Sequence, residues 1–257
     1  MDGHEISIVY CLTEKADECA IRAAVGQLSG AERQRHDRLV HARDRRDFAL
    51  AHAMLRRVLS SYEPRPPLDW TFEANAYGKP FLVPSSTTTG LSFNLSHCDG
   101  LVACIVAVDV DVGIDAEAID GMLDADTMAR QCFSRAEIDA IRRCGDENAR
   151  QERFVELWTL KEAYVKACGR GLSMPLAEFA FVFDVPGSVA LVGEKVAGAS
   201  WQCALFAPSA RHRMAIVLEG RAGEQHRLVA RLDPALHSED SRELLPLRHS
   251  FAGTTRQ

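Results

Sequence analysis

One run of elements can be read twice in this chain, and that repetition limits the folds open to it. Alternating apolar residues over 5–10 predict a strand. Leu28-Ser29-Gly30-Ala31-Glu32 opens a helix, with Ser29 and Glu32 at capping-box spacing. A second helix is expected over 44–60, its apolar stripe formed by Phe48, Ala51, Leu55 and Val58. Pro64, Pro66 and Pro67 stop it. Strands are expected over 69–73, 91–97 and 101–108, the last an unbroken apolar run suited to a sheet covered on both faces. The order then returns: a strand over 110–116, a capped helix at Phe133-Ser134-Arg135-Ala136-Glu137, a long helix over 151–168, and strands over 179–185, 201–207 and 213–218. This reads as an α+β duplication with its boundary near Asp109. The halves are 1–108 and 109–220. Residues 221–257, polar and interrupted by proline, read as an appended tail.

Composition narrows the function. Of 257 residues, 47% are hydrophobic and 26% charged, which excludes a disordered chain and provides for a sizeable core. A net charge of -6 argues against bulk nucleic-acid binding, which needs a basic surface, though it leaves room for a local basic pocket. The eight cysteines include no C-x-x-C pair, and several sit in apolar runs, as Cys104 does. They read as free thiols in a reducing cytoplasm rather than a disulfide framework or zinc site. The N-terminus lacks a signal pattern, and no apolar run approaches the roughly 20 residues of a membrane helix. A soluble cytoplasmic protein without a membrane partner is expected.

Chemistry concentrates in four segments. In Val110-Asp111-Val112-Gly113-Ile114-Asp115-Ala116-Glu117, a period of two puts Asp111, Asp115 and Glu117 on one face. Carboxylates so close repel one another unless a cation or protons intervene. Oxygen ligands of this hardness suit magnesium, which takes one or two carboxylates plus phosphate oxygens; a solvated acidic strand end accounts for the segment equally well. In Trp158-Thr159-Leu160-Lys161-Glu162-Ala163-Tyr164-Val165-Lys166, Glu162 and Lys166 project together from the edge of a buried stripe. They form either a surface ion pair or a working one. Lys161 points near the middle of that stripe, where a lysine must snorkel or meet an anion. Gly169 and Gly171 end the helix. Ser96 and His97 end the strand Ser92-Phe93-Asn94-Leu95-Ser96-His97. As strand neighbours they face opposite ways and cannot form a nucleophile–base dyad. Ligand contact and a structural histidine both stay open. Arg43 opens the second helix and could grip a phosphate bidentately. The turn Tyr77-Gly78-Lys79-Pro80 offers Lys79 to a phosphate, or is an ordinary exposed turn.

Together these segments resemble the 4'-phosphopantetheinyl transferase superfamily, and within it the long, monomeric, surfactin-synthetase-activating class. The resemblance is carried by Gly78-Lys79-Pro80, Phe93-Asn94-Leu95-Ser96-His97, Gly113-Ile114-Asp115-Ala116-Glu117, Phe154 with Trp158 to Lys166, and Gly169-Arg170-Gly171-Leu172. It implies a pseudo-twofold duplicated α+β fold with the active site between two similar halves. It implies transfer of the 4'-phosphopantetheine arm of coenzyme A to a serine of an apo acyl or peptidyl carrier protein, releasing adenosine 3',5'-bisphosphate. By the same resemblance, Asp115, Glu117 and Glu162 bind Mg2+, Lys166 and His97 contact the phosphates, Lys79 and Ser96 meet the adenosine end, and Arg43 meets the 3'-phosphate. Glu162 would take the serine proton and Lys166 would serve the leaving phosphate. The chain departs from the pattern where some relatives carry two lysines and it has Glu32 and Arg35. Two rival readings stand beside it. A metal-dependent phosphodiesterase acting on coenzyme A would need no carrier, and a non-catalytic coenzyme A-binding module would not need the carboxylates.

Overall fold

The computed structural model describes residues 5–83, 87, 89–121, 125–171, 174–196, 200–220, 224–236 and 243–250; Leu172 of the glycine motif lies outside them. The first half runs β1 (Glu5–Leu12), α1 (Glu18–Gly26), α2 (Gly30–Arg38), α3 (Ala42–Tyr62), β2 (Phe72–Ala74), β3 (Pro80–Leu82), β4 (Leu91–Cys98) and β5 (Leu101–Val108). The second runs β6 (Val112–Ala118), α4 (Ala125–Cys132), α5 (Arg135–Arg142), α6 (Glu147–Cys168), β7 (Ala180–Val182), β8 (Ala190–Val192), β9 (Ser200–Ser209) and β10 (His212–Gly220). The order is the same in both. One sheet contains β1-β5-β4 and the other β6-β10-β9, again the same order, and β2-β3 and β7-β8 form matching ribbons.

Both predicted capping boxes are present. Ser29 and Ser134 accept from the backbone N–H of Glu32 and Glu137, whose carboxylates accept in return from the Ser29 and Ser134 N–H groups. Each capping acid also anchors a buried cation of the following long helix. Glu32 receives Arg56, and Glu137 receives Lys161, at 24 residues' separation in both halves. Arg56 donates to the carbonyls of Pro67 and Trp70, and Lys161 to those of Leu176 and Phe179. The lysine expected to snorkel or meet an anion has met one. Arg56 also explains why the first ribbon starts at Phe72 and not at 69: its two carbonyl bonds hold the chain in a turn there.

The layers follow from the apolar pattern. Leu50, Met54 and Leu55 of α3 pack on Val102, Cys104 and Val106 of β5, while Ala103, Ile105 and Ala107 meet Ile114, Phe206 and Ile216 of the other sheet. The unbroken apolar run of β5 is thus covered on both faces, as expected. On the far side, Leu157, Leu160 and Ala163 of α6 pack on Leu205, Ala215 and Val217.

The stretch beyond Gly220, expected as an appendage, departs from that reading. Its strand β11 (Arg227–Leu232) pairs parallel with β1 and carries β12 (Glu243–Leu244) on its other edge. Another strand, β13 (Arg248–His249), pairs with β9. Arg57 of α3 bonds Asp233, which follows β11.

Candidate active site

β4 of the first half meets β6 and α6 of the second, and the candidate residues gather where they join. Gly113 permits the closest approach: a Cβ there would stand 2.0 Å from the Ala163 carbonyl and 2.4 Å from the Ala167 nitrogen. With β6 pressed on α6, Asp115 and Glu117 on its α6 face stand beside Glu162 and Lys166, one helical turn apart. Gly169, in the left-handed region at φ 66°, then ends α6.

Lys166 Nζ lies 2.7 Å from Asp115 Oδ1 and 3.0 Å from Ser96 Oγ, and Ser96 donates to the same Asp115 oxygen at 3.0 Å. Trp158 Nε1 donates to Glu117 at 3.1 Å. Burial raises the Glu162 carboxyl to about 7, with the Asp115 charge adding to it and Lys166 opposing. Burial and Asp115 also raise Glu117. Three carboxylates share one ammonium, an arrangement short of positive charge. Asp115 Oδ2 and Glu162 Oε1 are buried without a hydrogen-bond partner. Orphaned carboxylate oxygens are rare and expensive in a folded protein, and two of them beside the Lys166 ammonium fit a divalent cation. Among the described residues no three metal-binding groups close into a ready cage. Magnesium draws on phosphate oxygens and water for much of its shell.

An open cleft of about 260 Å³ runs from Glu162 and Lys166, walled by Tyr77, Gly78, Lys79, Pro80, Leu95, Val165 and Gly169. The structure therefore brings together Ser96, Asp115, Glu117, Glu162 and Lys166. It places the other three apart from that cluster. Lys79 borders the cleft, with Nζ directed to the carbonyls of Val112 and Ala167 at 3.3 and 3.4 Å. His97 keeps an exposed edge on the opposite face of β4. Packing around the rest of its ring lowers its pKa, against the pull of Asp47. Arg43 is 61% exposed and pairs with Asp44 and, at 4.0 Å, with Asp99. Glu32, at the departure from the lysine pattern, is occupied internally by Arg56 and by His52 at 3.0 Å, while Arg35 lies over Phe48.

The sequence reading assigned no role to Asn94, Trp158 or Asn75. Asn94 Oδ1 accepts the Ile114 N–H at 2.9 Å. Asn75 accepts from the Tyr77 and Lys79 N–H groups and donates to the Gly169 carbonyl, joining the turn to the end of α6. Period two along β4 places Asn94 on the same side as Ser96, which was the available signal.

Residues 111–217 match the 4'-phosphopantetheinyl transferase superfamily, and residues 15–109 match the N-terminal region of 4'-phosphopantetheinyl transferases. The 4'-phosphopantetheinyl transferase ffp of Bacillus subtilis is 31% identical over 64% of this chain and 70% of its own. The chain belongs to the 4'-phosphopantetheinyl transferase superfamily. Similar superfamily members include the 4'-phosphopantetheinyl transferase HetI of Nostoc, 33% identical over 61% of this chain, and the transferase gsp of Aneurinibacillus migulanus, 32% identical over 59%. The chain spans 65% and 60% of the length of these two relatives. Together the two matches run from α1 to β10 and leave β1 and β11 to β13 outside.

Proposed function

We propose that this chain transfers the 4'-phosphopantetheine arm of coenzyme A to a serine of an apo acyl or peptidyl carrier protein. The observation that carries the reading is the pair of buried, unpartnered oxygens, Asp115 Oδ2 and Glu162 Oε1, beside an open cleft that Glu162 and Lys166 line. These two residues, with Glu117 in support, would hold Mg2+, which when bound neutralises a pyrophosphate and the charge developing on its leaving group. Lys166 stands at the cleft wall as the ammonium that meets the departing phosphate. Glu162, which lines the cleft with Lys166, takes the proton of the carrier serine. The serine oxygen bonds to the β-phosphorus of coenzyme A as the bond to adenosine 3',5'-bisphosphate breaks. The nucleophile comes with the partner, so the chain needs only to position and to neutralise.

The adenosine end would lie along the wall around Lys79, near Ser96. Arg43 and His97, at the open ends of α3 and β4, would reach the 3'-phosphate and the adjoining phosphates. Glu32 does not oppose this, because Arg56 and His52 already neutralise it. A monomer is supported by the site's drawing β4 from one half and β6 and α6 from the other within one chain. A cytoplasmic location is supported by eight free cysteines. Among the described residues no helix is long and apolar enough to cross a membrane. Intact-mass analysis of apo carrier proteins incubated with the chain, coenzyme A and Mg2+ tests the reading. A gain of about 340 Da on the carrier is expected. Unmodified carriers of both classes, or cleavage of coenzyme A alone, would defeat it.

A further inference from the structure

Among the described residues no strand is hydrogen-bonded to the outer edge of β6, and side chains from the first half take the place of a ladder. Ser92 Oγ donates to the Val110 carbonyl, and Lys79 Nζ to that of Val112. Asn94 Oδ1 accepts the Ile114 N–H at 2.9 Å, and Ser96 Oγ accepts the Ala116 N–H at 3.2 Å. Ser92, Asn94 and Ser96 are two residues apart, so one face of β4 presents all three. The bonds from Asn94 and Ser96 fall on the residues either side of Asp115.

β6 is therefore gripped from two directions. Gly113 lets it press on α6, which fixes its depth but not its position along the helix. The side-chain clasp fixes that second coordinate. We propose that Asn94 and Ser92 are positioning residues, which hold the strand carrying Asp115 in the register with α6 that lets Asp115 and Glu162 share one divalent cation. The inference rests on the magnesium assignment above. Asn94 borders the cleft, but its Oδ1 is committed to Ile114, and no bond joins it to Asp115, Glu162 or Lys166. Ser92 lies at the far end of the clasp, with its hydroxyl on Val110. Both act through the backbone of β6. A buried N–H stripped of its acceptor moves to find another, and the atom that moves here is bonded to the residue preceding Asp115.

Asn94→Leu keeps the volume and removes the acceptor. Mg2+ titrated calorimetrically into the full chain without coenzyme A should bind about tenfold more weakly than to the parent chain. Single-turnover transfer should need correspondingly more Mg2+, yet recover to within about threefold of the parent rate once Mg2+ saturates. A purely structural asparagine would lower the melting temperature and leave Mg2+ affinity alone, and that result overturns the proposal. If Asn94→Leu fails to fold, Ser92→Ala carries the same test at the half-buried end of the clasp. Mg2+ binding weaker by about threefold is expected there, and unchanged binding is the refuting result. Asp115→Ala serves as the separate control. Persistence of Mg2+ binding in that variant would remove the magnesium assignment itself, independently of the clasp.

Discussion

Lys161→Met should be among the most destabilising single substitutions in this chain. The ammonium is 0% exposed, as is its partner Glu137, and its three N–H groups face three acceptors: Glu137 at 3.0 Å and the carbonyls of Leu176 and Phe179 at 2.7 Å each. Phe179 also lies beneath it, with the ring centroid at 4.2 Å. Methionine fills the space but leaves Glu137 a lone buried charge. Removing one partner of a buried pair costs about 3–5 kcal/mol, which in a domain of this size is roughly 10 °C of melting temperature. Glu137 must still cap α5 and accept the Phe181 N–H, so it cannot turn away to water. Changing it to glutamine removes the stranded charge but keeps only one acceptor oxygen for the Ser134 and Phe181 N–H groups, so the recovery is partial. The double variant Lys161→Met, Glu137→Gln should therefore regain about 1–3 kcal/mol over Lys161→Met. Urea denaturation of the parent, both single variants and the double variant closes the cycle. A loss below about 1 kcal/mol for Lys161→Met, or plain additivity in the double, would refute the account of a charged, fully satisfied pair.

The matching pair in the first half predicts a pH effect. Burial pushes the Glu32 carboxyl up, but hydrogen bonds from His52, Arg56 and the Ser29 N–H outweigh it and hold the group at about 2, against an ordinary 4.5. Its contribution is complete above pH 4.5 and lost as pH falls towards 2, at most about 3 kcal/mol. Denaturation curves at pH 5 and pH 3 should differ less in Glu32→Gln than in the parent. Glu162→Gln should lose orders of magnitude in single-turnover transfer with little change in melting temperature, and should weaken Mg2+ binding. Lys166→Met should lose rate while keeping Mg2+ affinity, and near-normal rates in both variants would reduce the pair to an ordinary surface contact. Arg43→Ala should weaken coenzyme A binding by about tenfold to a hundredfold and 3'-dephospho-coenzyme A far less. Its stability should hold within about 0.5 kcal/mol, since Arg43 is exposed and its ion pairs are with the surface groups Asp44 and Asp99. Equal losses for the two ligands would assign Arg43 to another part of the cofactor.

The features legible in the sequence are those written in local spacing. Ser29 with Glu32, and Ser134 with Glu137, announce two helix starts. The period of two in β6 puts Asp115 and Glu117 on one face, and the four-residue step in α6 joins Glu162 to Lys166. Contacts between elements were not legible in the same way. Lys161 demanded an anion, but nothing local named Glu137. Asn94 stood inside a quoted motif, yet its partner is a backbone N–H of another strand, which no side-chain pattern reveals. Parallel pairing of β1 with β11 joins Glu5 to Arg227, and the charges of Arg227 and Arg231 make that short strand read as polar tail. Glu32 looked like an obstacle to phosphate binding until Arg56 and His52 were found on it.

β11 also bears on what a duplication can keep. Two like halves should offer two like strand edges, one on β6 and one on β1. On β6 the edge is left to side chains, and a cleft opens beside it; on β1 the edge is filled by the chain's own later residues, fastened through Asp233 to Arg57. The edge of β1 is thus a seam where the equivalent edge of β6 lies open. The seam also shields β1 from strangers. Cutting the chain after Gly220 would bare the backbone donors and acceptors of β1 along a flat apolar strand, an invitation to pair with any neighbouring molecule. These late residues lie outside both superfamily matches, yet they fill the edge of β1 that would otherwise be open to pairing.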